Sequence, residues 1–213
     1  MTTADGEQIQ PETYFVKRTE HCPNSDFPVL VYRGVLGTGD ELDEDEVSEK
    51  LQQYGWVKKG TWGTITLKHF HPNTHECYGS HSSFSLDTFK VSLTELHPGI
   101  FQGRSELVFG EGGSDPAGSG VRCWVRPGDV VVVPAGVAHA SVADEKAAPG
   151  EKEYRYVGVY PEESPQWRSE MGRKPLQEKQ GLVEEVEGVG LPRMDPLYGV
   201  DGPLIKIWKA ARG

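Results

Sequence analysis

Two histidines close one face of a strand-like stretch, and no other pattern constrains the chain as tightly. In Thr64-Ile65-Thr66-Leu67-Lys68-His69-Phe70-His71, residues 65, 67, 69 and 71 share a face when the chain is extended, because side chains alternate with a period of two. That face begins with Ile65 and Leu67 and ends with His69 and His71, about 6.6–6.8 Å apart along the strand. Pro72-Asn73 then turns the chain, which predicts that Glu76 returns on the neighbouring strand facing the same interior. His139 joins the group from much later in the sequence. Neutral imidazoles with one carboxylate suit a divalent transition metal such as Fe, Mn, Ni, Cu or Zn. Four protein ligands would leave positions free for water or substrate around an octahedral ion.

The rest of the chain reads as short strands with turns between them. Strand candidates are 28–32, 106–109, 121–126, 130–133, 138–142, 154–160 and a final 203–208. The 26 Gly and 15 Pro among 213 residues support a turn-rich β sandwich or barrel over a helical bundle. One helix is expected, over Glu41–Tyr54. Acidic residues crowd its first turn, where the helix dipole favours them; Val47, Leu51 and Tyr54 form one apolar stripe, and Gly55 follows as a cap. The acidic run is thus a helix start and a solvated face. Residues 110–120, rich in glycine, read as a plain loop, because they lack a phosphate-binding G-x-x-x-x-G-K-[ST].

Composition narrows the class of function. Net charge is −10, which argues against nucleic acid and anionic membrane as partners. The longest apolar run, Val130–Val133, is far below the ~20 residues of a membrane span. The first residues carry no secretory pattern. Three cysteines without a C-x-x-C pair fit reduced thiols. The expectation is a soluble cytoplasmic protein.

Two spaced motifs carry a resemblance. Gly63-x5-His69-x-His71-x4-Glu76 and Gly128-x5-Pro134-x-Gly136-x2-His139 resemble, in order, the first and second motifs of the cupin superfamily. Flanking segments, including Phe27–Gly34, Val157–Pro161 and Asp195–Pro203, resemble a group of bacterial and fungal single-domain cupins. The resemblance implies an all-β fold, a double-stranded β-helix (RmlC-like jelly-roll) barrel with a short N-terminal helix. It implies metal held by His69, His71, Glu76 and His139, and a homodimer. Ala143 stands where the second motif often carries Asn; that Asn is not a ligand. The division expected is an N-terminal arm and helix (1–59), the barrel (60–161), and a C-terminal arm packing on it (162–213).

One segment departs from the pattern. Removing residues 80–99 leaves Glu76-Cys-Tyr-Gly-Ile-Phe-Gln-Gly103, which has the family's six-residue spacer. We read 80–99 as an insertion translated from a retained intron, since Gly79 and Pro98-Gly99 are compatible with codons that spell splice boundaries. A lid loop over the barrel mouth is the rival. His81 and His97, inside it, are not placed among the ligands.

The function expected is a metal-binding cupin acting on a small organic molecule inside the barrel, with oxidation of the dioxygenase type as its chemistry. The alternatives are a non-catalytic cupin that binds a small molecule or metal, and a metal-dependent sugar isomerase. His75 is given a supporting or surface role. Tyr78 is expected to fill the barrel; Gln102, Arg104 and Trp124 are candidate substrate contacts; Trp56, Trp62 and Trp208 are packing aromatics; Cys77 and Cys123 are small buried apolar residues.

Overall fold

The computed structural model describes residues 8–37, 44–81, 103–142 and 154–212. Its strands are β1 (Glu12–Tyr14), β2 (Val29–Tyr32), β3 (Trp56–Gly63), β4 (Glu76–His81), β5 (Ser105–Phe109), β6 (Val121–Val125), β7 (Val130–Val133), β8 (His139–Ser141) and β9 (Arg155–Pro161). They form a six-stranded sheet of order β1-β2-β7-β4-β9-β3 and a three-stranded sheet of order β6-β5-β8. Every pairing is antiparallel. The two sheets face each other across a shared core as an all-β barrel.

The Val130–Val133 run is apolar throughout because its sheet is covered on both sides. Val29, Val31, Val131 and Val133 point into the barrel with Tyr78, Leu107, Phe109 and Val125. Leu30, Tyr32, Val130 and Val132 point the other way, against Leu36, Val47, Leu51, Leu204 and Trp208. Alternation along a strand therefore separates two cores rather than a core from solvent. Helix α1 (Glu44–Gln52) buries Val47 and Leu51 on that outer core, as its stripe predicts. Gly55 follows with φ +71°. Cys22, Cys77 and Cys123 are all free and buried.

Two glycines are dictated by contact. Gly128, which opens the second motif, has φ +90°, and a Cβ there would lie 2.0 Å from the carbonyl oxygen of Gly37. Gly158 in β9 has the indole of Trp62 laid across it, 2.2 Å from where a Cβ would stand.

β1 and β2, both before residue 60, lie in the larger sheet. Two expectations change. Residues 64–71, expected as a strand, are not one: β3 ends at Gly63, which is still opposite Arg155. The chain there leaves the larger sheet: the Ile65 carbonyl accepts from Ser141 N–H at 2.7 Å, and His69 bridges to His139. The strand expected at 203–208 is a helix, α3 (Pro203–Arg212). Leu204, Ile205 and Trp208 are buried on it while Lys206 is exposed, a spacing of one and three that suits a helix face. Asp195, fully buried, caps its start by accepting from Leu204 N–H at 3.0 Å. The glycine-rich stretch 110–120 is tied down: Asp115 accepts from Thr19, His21 and Gly112, and Glu111 accepts from Gly118 and Gly120.

The segment 80–99, expected to be an insertion, lies outside the described residues except for Ser80 and His81. Their backbone continues β4, opposite Tyr156 and Arg155. Past residue 161 the chain wraps back over the barrel through α2 (Leu182–Glu187) and α3.

Candidate metal centre

The first histidine pair is placed by the change of sheet. His69 N–H and carbonyl exchange bonds with the carbonyl and N–H of His139 at 3.2 and 2.8 Å. On the other side of this segment, Phe70 makes the same exchange with Glu170 at 2.8 and 2.9 Å, and the His71 carbonyl accepts from Gly136 N–H at 2.8 Å. The turn that carries the second motif and the chain after the barrel thus hold residues 69–71 between them. Glu76 arrives on β4 opposite Val133.

The three imidazoles converge. Their ligand atoms all lie within 4.8 Å of one another, with ring centroids 4.5 to 5.6 Å apart. Glu76 Oε2 lies 3.2 Å from both His71 Nε2 and His139 Nε2. His71, Glu76 and His139 are buried; His69 is partly exposed and opens the group toward solvent.

Each imidazole is oriented by a backbone carbonyl. Nδ1 of His69 meets the Leu67 carbonyl at 2.8 Å, that of His71 meets Arg168 at 2.9 Å, and that of His139 meets Val137 at 3.0 Å. A carbonyl only accepts, so each Nδ1 carries a proton, and in the neutral ring Nε2 is left as an inward-facing lone pair. Burial, reinforced by repulsion from His139, pulls the His69 pKa down to about 4, which keeps the ring neutral. Burial also lowers His71, but the Glu76 carboxylate beside it outweighs this and raises it. Burial would raise Glu76, yet contact with His139 and His71 holds it well below the usual carboxylate range.

Glu76 Oε2 is buried with no hydrogen-bond donor. Three imidazole lone pairs and a carboxylate oxygen therefore meet where nothing donates. The three imidazoles lie close enough together to share a divalent cation, and nitrogen donors with a carboxylate oxygen beside them fit an ion of intermediate softness. Among the described residues, His69, His71 and His139 are a group able to hold one.

Other side chains singled out in the sequence fall elsewhere. His75 is fully buried rather than at the surface. Its Nδ1 accepts from Ala135 N–H at 2.9 Å and its Nε2 donates to the Gly190 carbonyl at 3.0 Å, with the ring against Trp208. Tyr78 fills the barrel beside Tyr156. Trp124 is exposed on the edge strand β6 with Arg104 stacked over its ring, so neither lines the interior; Gln102 is outside the described residues. Two partners of the centre escaped the sequence: the Arg168 carbonyl on His71, and Tyr160, whose hydroxyl donates to Glu76 Oε1 at 2.8 Å.

No protein-family model matches the chain. An uncharacterized protein of Bacillus subtilis (strain 168), YjlB, is 27% identical to it over 200 residues, which is 93% of this chain and 97% of that one. Two structures of vicilin from Solanum melongena match at TM-scores of 0.31 and 0.30, with 18% and 17% identity over 62% of this chain. The chain spans about a third of each vicilin, 32% and 31%.

Proposed function

We propose that the chain binds one divalent transition metal through Nε2 of His69, His71 and His139 and Oε2 of Glu76, and that it acts on a small organic molecule brought to that ion from the His69 side. The observation that carries this reading is the convergence of bare lone pairs: each imidazole N–H is spent on a carbonyl, and Oε2 is buried with no donor. Such a metal supplies a Lewis acid with positions open to substrate or dioxygen, and the reaction class we favour is oxidation by dioxygen. The protein's own part is to hold the carboxylate ionised, keep His69 neutral, and wall the inner side of the site with Tyr78 and Tyr156, with His69 as the partly exposed ligand.

The metal reading is tested by elemental analysis of protein purified without added metal. The expected result is close to one transition-metal ion per chain, lost in His71→Ala. Equal and negligible content in both proteins rejects the site. With metal present, oxygen consumption on a panel of catechols, flavonols and thiols tests the oxidation reading; a metal-loaded protein that consumes no oxygen with any of them leaves a binding protein or a sugar isomerase.

A further inference from the structure

The register between β4 and β9 puts Cys77 opposite Val159. One step further along both strands, Glu76 stands beside Tyr160, so the two side chains project from the same face. The Tyr160 hydroxyl donates to Glu76 Oε1 at 2.8 Å, and this contact is buried. Its ring is fixed independently: it stacks on Trp167 at 5.4 Å and 17°, and meets His71 edge-on at 6.0 Å. A phenol clamped between an indole and an imidazole has little rotamer freedom left, so its O–H is a fixed reference point for the carboxylate.

We propose that Tyr160 is a positioning residue that makes Glu76 a one-oxygen ligand. With Oε1 engaged by the phenol, Oε2 alone turns toward His71 and His139. The metal then keeps a coordination position that a carboxylate binding through both oxygens would occupy. Trp167 belongs to the chain beyond the barrel, so that segment sets the carboxylate through Tyr160 as it sets His71 through the Arg168 carbonyl. This inference rests on the metal reading above.

The test is Tyr160→Phe in the full chain, which keeps the ring on Trp167 and removes only the hydroxyl. Co(II) is the probe, because its visible absorption weakens as the number of ligands rises. Wild-type protein should bind Co(II) in one-to-one ratio. Tyr160→Phe should bind it roughly tenfold more weakly, as for other partners that orient a ligand, and with lower absorption per bound ion. Introduced into Glu76→Ala, the same change should have no further effect on affinity. A purely structural tyrosine would instead lower the melting temperature of the metal-free protein and leave the spectrum of bound Co(II) unchanged. Identical affinity and spectrum in Tyr160→Phe, or an equal loss on the Glu76→Ala background, overturns the role of Tyr160 while the metal site stands. Wild-type protein that binds no Co(II) overturns the metal reading and this one with it.

Discussion

His69 and His139 face each other across two backbone hydrogen bonds, of 2.8 and 3.2 Å, so the two motifs that carry the candidate ligands are hydrogen-bonded directly. The site is therefore assembled by main-chain pairing before any metal arrives, and its side chains are aimed by carbonyls of neighbouring residues. A preformed site of this kind predicts a separation between residues that bind and residues that hold the fold.

His71→Ala and His75→Ala should divide along that line. His71→Ala removes one inward lone pair and should abolish metal binding while changing the metal-free melting temperature little. His75→Ala orphans the buried Ala135 N–H and releases the Gly190 carbonyl, and should cost about 1–3 kcal/mol of stability. Urea unfolding of the metal-free proteins beside elemental analysis checks both.

Asp195 organises the outer core. Fully buried, it accepts from the Tyr32 hydroxyl at 2.6 Å and from the N–H groups of Leu197, Tyr198 and Leu204. Asp195→Ala leaves several donors without an acceptor and should destabilise by more than about 3 kcal/mol. Tyr32→Phe removes only one of these donors and should cost less. Unfolding midpoints in that order are expected; the reverse order would show that the network is not centred on Asp195.

Trp208→Ala should be among the most damaging single changes far from the site. The indole is fully buried, stacks on Phe27 at 5.1 Å, and donates to the Pro28 carbonyl at 3.0 Å. Its loss opens a large cavity, at about 3–5 kcal/mol, measurable as a lowered urea midpoint, with hydrogen exchange rising first in α3.

Asp115→Ala should loosen the glycine-rich loop without unfolding the barrel. Its carboxylate joins Thr19, His21 and the Gly112 N–H, so faster amide exchange is expected over 110–120 while β7 and β9 stay protected. Unchanged exchange in the loop would mean that Glu111 suffices to hold it.

Much of this was legible in the sequence because it is encoded over a few residues. The spacing of His69, His71 and Glu76 is local, the glycine of Gly128 is required by a turn at φ +90°, and the stripe of α1 repeats within three turns. The short strands announced a β fold through Gly and Pro between them. Other features were illegible for an equally physical reason. Leu204-Ile205-Lys206-Ile207-Trp208 is short, apolar and β-branched enough for a strand, and only the cap from Asp195 and the outer core against which Leu204, Ile205 and Trp208 pack make it a helix. Thr64–His71 alternates, but its neighbours belong to two different sheets, so the strand breaks where the partner changes.

By itself, then, the sequence determined the β class and four ligand candidates, because alternation, turn residues and donor chemistry are properties of neighbours in the chain. Only the tertiary structure decided that the candidates meet, that the Arg168 carbonyl takes the Nδ1 proton of His71, and that Tyr160 stands beside Glu76. Those facts depend on strand register and on chain crossings between distant segments, and register is settled by packing both faces of a sheet at once.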